Sequence, residues 1–465
     1  MPAKVVGMAS SNQVTPLFPS ALTPLSELQK RFGIIDVSGE IRVIDLEQVQ
    51  GILGGSLTGE VAFYKKADAE LLMKRLLENL PVACKPRQVI EDFWASPATR
   101  FYNATAFTPS ATPDTTLNFW VGPTADAAPG NWRELRDFIR DIICAGDNML
   151  FEYLIRYMAQ MIQRPQDKPG VIITLLGGQG TGKGVFFSLL RAIWPRTTLQ
   201  VSDIEQVTGR FNACLERNLV ICMDEALFAG DRKSMDRLKS IVTESVIQIE
   251  QKYQPSRTIQ SVHRFFASSN HSHFGNIEID DRRFVFLQVS PSKQQDTTYF
   301  GQIVSAINDK NTLGALIYYL KRKDLKSFDV RGKPNTGEHA AQKLKSLQAV
   351  DRYWYEVLMS RCFHRQGKIP LFDDDEWSEP LFMPSTKLLE NYLEFNRNAE
   401  RHQTVQVSEI LSSIRRLCPS AVALRKAVKE AGTTTDKKAR GLQLPDLDTA
   451  RLEFEEAIGG KIAWD

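Results

Sequence analysis

Val171-Ile172-Ile173-Thr174-Leu175-Leu176-Gly177-Gly178-Gln179-Gly180-Thr181-Gly182-Lys183-Gly184 is the stretch whose reading decides the fold. Its apolar and β-branched first half predicts a buried strand, and the run Val185 to Ala192 that follows is compatible with a helix. Strand, G-x-x-x-x-G-K, helix is the Walker A arrangement. Glycines let the backbone wrap closely, so that N–H groups point at a β-phosphate, and the helix N-terminus adds partial positive charge. Gly177, Gly178, Gln179, Gly180, Thr181, Gly182, Lys183 and Gly184 are therefore the expected ATP cradle, with Lys183 bridging β- and γ-phosphates. One position departs from the pattern. Gly184 stands where Ser or Thr would place a hydroxyl on Mg²⁺, so a water or the downstream carboxylates must complete the metal's shell.

Further along, Leu219-Val220-Ile221-Cys222-Met223 runs into Asp224-Glu225, as a Walker B strand does. Asp224 is the expected metal residue and Glu225 the residue that orients an attacking water. A third apolar strand, Arg264 to Ser269, ends in Asn270, whose amide suits contact with a γ-phosphate and the lytic water. Asp280-Asp281-Arg282-Arg283-Phe284 precedes a fourth, and Arg282 or Arg283 is a candidate arginine finger for a neighbouring subunit's site. Between the second and third strands, Ile247 to Val262 alternates apolar and polar residues around Gln254-Pro255-Ser256, predicting a β-hairpin. Lys252, Tyr253 and Arg257 near its tip form the expected contact with single-stranded DNA.

Outward from this core, 1–30 is expected as a flexible arm and 31–123 as a small α+β domain opening on the hairpin Gly33–Val43. Apolar residues at helical spacing predict a helical hairpin over 131–165, followed by the P-loop ATPase core over 166–292. A helical region spans 293–360, and 380–465 is expected as a winged-helix-like C-terminal domain. Residues 401–440 hold nine basic side chains against three acidic ones, which suits either contact with DNA phosphates or a solvated face.

A chain of 465 residues with 43% hydrophobic and 24% charged residues is globular, and no apolar run approaches the ~20 residues of a membrane span. The N-terminus lacks the apolar segment of a secretory signal. Six cysteines without a C-x-x-C pair fit reduced thiols, so a cytoplasmic location and no membrane partner are expected. A net charge of +3 gives no global grip on nucleic acid. His271, His273, Cys362 and His364 lack a second ligand pair and are expected in loops or helices, outside any metal site. Asp36 and Asp45 are isolated and Asp373-Asp374-Asp375 predicts an exposed loop, so no polymerase activity is expected.

Taken together, the glycine loop, Thr208-Gly209-Arg210-Phe211-Asn212, Met223-Asp224-Glu225, Phe266-Ala267-Ser268-Ser269-Asn270, Asp281-Arg282-Arg283 and Phe328–Thr336 resemble the superfamily-3 helicases. The resemblance is to their phage- and plasmid-type primase-helicase ATPases and covers about residues 130–350. It implies an α/β, AAA+-like P-loop core with a parallel sheet that assembles as a homo-oligomeric ring, usually a hexamer. It further implies Mg²⁺/ATP-driven translocation on single-stranded and forked DNA, with Lys252 lining the channel. A primase-polymerase is expected on a separate chain or absent. Two other readings stay open: an AAA+ initiator, remodelling or defence ATPase that does not unwind processively, and a slowly hydrolysing nucleotide-gated scaffold.

Overall fold

The structure, a computed structural model, describes residues 23–37, 39–54, 61–123, 125–225, 232–251, 256–270, 281, 283–332, 334, 337–347, 349–361, 363, 377, 379–398, 405–428 and 437–464. It divides into two compact units, Met1–Phe119 and Trp120–Asp465.

The first unit runs α1 (Pro24–Arg31), β1 (Phe32–Val37), β2 (Glu40–Asp45), α2 (Leu46–Gly54), α3 (Lys66–Glu78), α4 (Pro86–Ala95), β3 (Phe101–Tyr102), β4 (Ala104–Ala106) and β5 (Thr116–Asn118). The expected hairpin is present, with Phe32 to Val37 paired antiparallel to Asp45 to Glu40. Within the arm expected over 1–30, residues 24–31 are helical, because Thr23 caps α1 through a reciprocal capping box with Ser26 and Pro24 preorganises its first turn. Leu28 then buries completely against Phe32, Met73 and Phe93.

The second unit opens with α5 (Arg133–Asp137), a π-helical turn (Phe138–Ile143) and α6 (Asn148–Gln163). There follow β6 (Ile172–Leu176), α7 (Lys183–Ile193), β7 (Thr198–Val201), α8 (Glu205–Thr208), β8 (Val220–Asp224), α9 (Arg232–Thr243), β9 (Val246–Ile249), β10 (Arg257–Gln260), β11 (Arg264–Ser269) and β12 (Phe284–Gln288). Five of these strands form one parallel sheet in the order β12-β6-β11-β8-β7. β6 and β11 are buried along their whole length, which is why they read as continuous apolar runs without alternation. β9 and β10 pair antiparallel as the expected hairpin.

The opposite end of the sheet is closed by cations. Arg264, fully buried, donates to the carbonyls of Val262, Arg164, Pro165 and Asp167. Lys168 donates to Ile241 O (2.6 Å), to Glu244 O and to Ser261 Oγ (2.5 Å). Ser261 in turn bonds His263 Nδ1, and His263 Nε2 donates to Leu215 O, both at 2.8 Å. Burial pushes Lys168 down to about 7 and His263 down to about 4. These groups tie the entry to β6 onto the base of β11.

The chain continues through α10 (Thr297–Asn308), α11 (Lys310–Arg322), α12 (Gly337–Lys345), α13 (Ala349–Ser360), β13 (Leu381–Pro384), α14 (Ser385–Asn398), α15 (Val407–Leu417), β14 (Val422–Val428), β15 (Lys437–Leu444) and α16 (Leu447–Ile458). The last three strands form an antiparallel sheet in the order β13-β15-β14. Sequence placed α13 in the preceding helical region. Its Tyr353, Trp354, Val357 and Leu358 instead share one buried core with Leu388, Ile410, Leu442 and Phe454, so the C-terminal module begins upstream of residue 380. No helix among the described residues is long and apolar enough to cross a membrane.

Candidate functional site

β6 delivers the glycine loop at the end of the sheet where three parallel strands stop together. Gly180 (φ +76°) and Gly182 (φ +101°) take left-handed backbone that the turn into α7 requires. At Gly182 a Cβ would also fall 2.6 Å from the Phe300 ring of α10, so the position is closed to any side chain. The loop is clasped from outside: Gln295 N donates to Gly180 O (2.9 Å) and Gln294 Nε2 to Gln179 O (2.8 Å). Thr181, buried, donates to Gly178 O at 2.9 Å. α7 starts at Lys183, so its unpaired first-turn N–H groups face the loop.

Lys183 Nζ donates to Gly177 O (2.5 Å), Gly178 O (2.8 Å) and Asn270 Oδ1 (2.6 Å). Burial lowers its pKa, while the nearby Glu225 and Asp224 carboxylates pull it back up. Asn270 Nδ2 donates to Glu225 Oε1. Glu225 leaves β8 in left-handed backbone (φ +54°), an uncommon state for a residue with a side chain and one concentrated at functional positions. Lys183, Asn270 and Glu225 thus form a continuous chain across the ends of β6, β11 and β8. Asp224 adjoins it, with Oδ1 accepting from Ser268 Oγ (2.5 Å) and Oδ2 from Gln200 Nε2 (3.0 Å).

Other expected residues stand elsewhere. Arg283 precedes β12, and its carbonyl accepts from Ile172 N at the start of β6 (2.7 Å). That places it at the far end of the sheet, about 17 Å of strand from the glycine loop, where it cannot serve this chain's own site. Its guanidinium lies 3.9 Å from the buried Asp281 carboxylate. Arg282, Lys252, Tyr253, His271, His273, Cys362 and His364 lie outside the described residues, as does Asp373-Asp374-Asp375. Arg257 opens β10 at the tip end of the hairpin's pairing, opposite Ile249, where Glu216 grips it at 2.5 and 2.7 Å and raises its pKa. Asn212, the last residue of the Thr208–Asn212 stretch, pins the hairpin: its amide bonds Glu250 N and Gln248 O, both at 3.0 Å.

Sequence reasoning missed Ser268, Gln200 and the Gln294-Gln295 clasp. Ser268 belongs to a strand end that sequence marks, but only strand register shows that it faces Asp224. The short strand β7 and the turn after β12 carried no signal.

The donor set fits ATP and Mg²⁺. The glycine loop, the α7 N-terminus and Lys183 suit a polyphosphate. Asp224 supplies carboxylate oxygens, ligands of the kind that Mg²⁺ takes with waters and phosphate.

A second charged surface lies on the β14–β15 ribbon. Arg425 stands directly opposite Arg440, and Lys426 and Lys438 flank them. Lys426 lies 5.9 Å over the Phe382 ring, and none of the four makes an ion pair among the described residues. Arg416 on α15 is committed to Asp351, with both carboxylate oxygens at 2.7 Å.

Comparison with known proteins follows the same outline. Residues 175–283 match the model of a family of unknown function, DUF5906. The chain is 26% identical over 162 residues to the DNA primase-polymerase of Nitratiruptor phage NrS-1, covering 33% of this chain and 22% of that protein. It therefore spans about a fifth of the length of this relative. Among solved structures it is similar to the apo A form of the NrS-1 C-terminal region, with a TM-score of 0.63 at 18% identity over 90% of this chain and 98% of that one. A second apo structure of the same region (305–718) gives 0.61 at 16% identity, covering 90% and 99%. The fold of the chain, from the N-terminal unit to the C-terminal module, is thus similar to that of a phage protein's C-terminal region.

Proposed function

We propose that this chain is an ATP hydrolase working in phage-type DNA replication, and specifically a ring-forming superfamily-3 DNA helicase with an AAA+-like P-loop core. The observation that carries the reading is the hydrogen-bonded chain Lys183–Asn270–Glu225 beside Asp224 at the ends of adjacent parallel strands. Hydrolysis of a phosphoanhydride needs a cation for the transferred charge, a carboxylate for the metal and a second carboxylate to orient water. Those three roles fall to Lys183, Asp224 and Glu225, and Asn270 couples cation to carboxylate. A bound Mg²⁺ would neutralise charge on the β- and γ-phosphates.

Ring assembly is supported by Arg283, whose place at the far end of the sheet suits a finger for a neighbouring copy's site. Binding to DNA is supported by the similarity to a DNA primase-polymerase and by the cations of the β14–β15 ribbon, which lack carboxylate partners among the described residues. The order β13-β15-β14 with helices α13, α14 and α15 supports a winged-helix-like reading of that module. In this scheme the hairpin segment with Lys252 and Tyr253 meets single-stranded DNA.

The test is ATP hydrolysis with and without single-stranded DNA, beside unwinding of forked duplexes of both polarities, for wild type and Glu225→Gln. DNA-stimulated hydrolysis with fork opening, both lost in the variant, supports the motor. Hydrolysis with no fork opened leaves an ATPase of the initiator or remodelling kind.

A further inference from the structure

Gly184 removes the hydroxyl that a Walker A loop ordinarily offers to the metal. A Cβ at this position would meet nothing within 4 Å, so the gap is one of chemistry and not of space. Neighbouring hydroxyls among the described residues do not fill it. Thr181 is buried and donates to Gly178 O, and Ser188, one turn along α7, donates to Gly184 O at 3.0 Å. Asp224 is then the main protein anchor for a metal, and the aim of its carboxylate matters more than in a loop carrying Ser or Thr.

That carboxylate is gripped from both neighbouring strands. Ser268, 1% exposed and in register with Asp224, donates to Oδ1 at 2.5 Å from β11. Gln200 donates to Oδ2 at 3.0 Å from β7. The Gln200 amide is itself oriented, because Arg191 Nη2 on α7 holds its Oε1 at 2.6 Å and leaves its NH₂ for the carboxylate. Each carboxylate oxygen keeps lone pairs free after accepting one hydrogen bond. The relay Arg191–Gln200–Asp224–Ser268 thereby fixes the carboxylate plane without using up its capacity for a metal.

We propose that Ser268 and Gln200 are positioning residues that aim Asp224 at the nucleotide's divalent cation and so take over the function of the hydroxyl missing at Gly184. The proposal rests on the ATPase reading above. Groups that orient a metal ligand change metal affinity when removed, typically by 10–100-fold. A role confined to packing would change thermal stability and leave metal affinity alone.

The experiment measures ADP binding to the full chain first without metal, then Mn²⁺ affinity of the ADP complex by electron paramagnetic resonance, alongside melting curves. Ser268→Ala and Gln200→Ala should each weaken Mn²⁺ binding by about 10-fold or more with ADP binding retained, and Ser268→Thr should stay near wild type. Gln200 is exposed, so its variant tests the relay even if Ser268→Ala folds poorly. Adding Gly184→Ser to Ser268→Ala should restore most of the affinity. If both alanine variants fold and hold Mn²⁺ within about twofold of wild type, the relay does not position the metal ligand and the proposal falls. If wild type holds no ADP at all, the ATPase reading falls first and takes this proposal with it.

Discussion

Two charged regions of the second unit are built on opposite terms. At the strand ends every charge is answered: Lys183 by two carbonyls and an amide, Asp224 by Ser268 and Gln200, Glu225 by Asn270. On the β14–β15 ribbon Arg425 faces Arg440 and no carboxylate among the described residues pairs with either. Like charges directly opposite in an antiparallel pair destabilise it by a few tenths of a kcal/mol up to about 1. The first arrangement holds charge in a fixed geometry for one small ligand. The second leaves its charge without a carboxylate partner among the described residues, which on the proposed reading suits a large polyanion.

The largest expected effect is on the first region. Lys183→Ala should lower ATP hydrolysis by about 10³-fold, because a preorganised cation at the transferred charge contributes that much to phosphoryl transfer. Glu225→Gln should lower turnover by about 10²-fold while leaving nucleotide affinity within a few-fold, since on the proposed reading the residue orients water and does not hold phosphate. Steady-state hydrolysis and equilibrium binding of a fluorescent nucleotide check both. Equal losses of binding and turnover in Glu225→Gln would reduce the site to a binding site.

On the ribbon, Arg425→Ala with Arg440→Ala should leave hydrolysis without DNA unchanged and weaken DNA binding. The slope of log affinity against log salt should shrink by roughly one unit for each phosphate that is no longer neutralised. The same double variant should gain up to about 1 kcal/mol of stability from relief of the like-charge pair. If its salt slope matches wild type, the ribbon is a solvated face and the contrast collapses.

An effect on stability alone concerns the sheet's closed end. His263 is pushed down to about 4 from an ordinary 6.5, so between those values the unfolded chain binds a proton that the folded chain refuses. The stabilisation from neutral His263 is therefore full above about pH 6.5 and is lost as pH falls through about 4, a swing of roughly 3 kcal/mol. Melting curves of wild type and His263→Gln over that range check it. The variant should be flatter, and parallel curves would show that His263 does not titrate on unfolding.

Much of the site was legible because its signals are local. The glycine loop declares itself by spacing, and Asp224, Glu225 and Asn270 each end an apolar strand. Arg257 read as a DNA-binding residue because it shares a basic and aromatic hairpin tip with Lys252 and Tyr253, and its ion pair was not visible. Glu216, distant in sequence, takes it up, and pairing between remote residues leaves no trace in local pattern. Helix α1 was missed for a similar reason: Ser, Thr and Pro suggested an arm, yet Thr23 and Pro24 are also the residues that start a helix.

Sequence by itself determined the strand–loop–helix, the order of the strand ends and the hairpin between them, because these depend on residue type at short spacing. Only the tertiary structure decided that Asn270 bridges Lys183 to Glu225, that Arg283 stands at the far end of the sheet, and that α13 belongs to the C-terminal core. It alone decided that Ser268 and Gln200 converge on Asp224 beside a loop lacking its hydroxyl. Parallel pairing brings strand ends together across long intervals of chain, and which side chains then meet is settled by register, to which the spacing along one strand is blind.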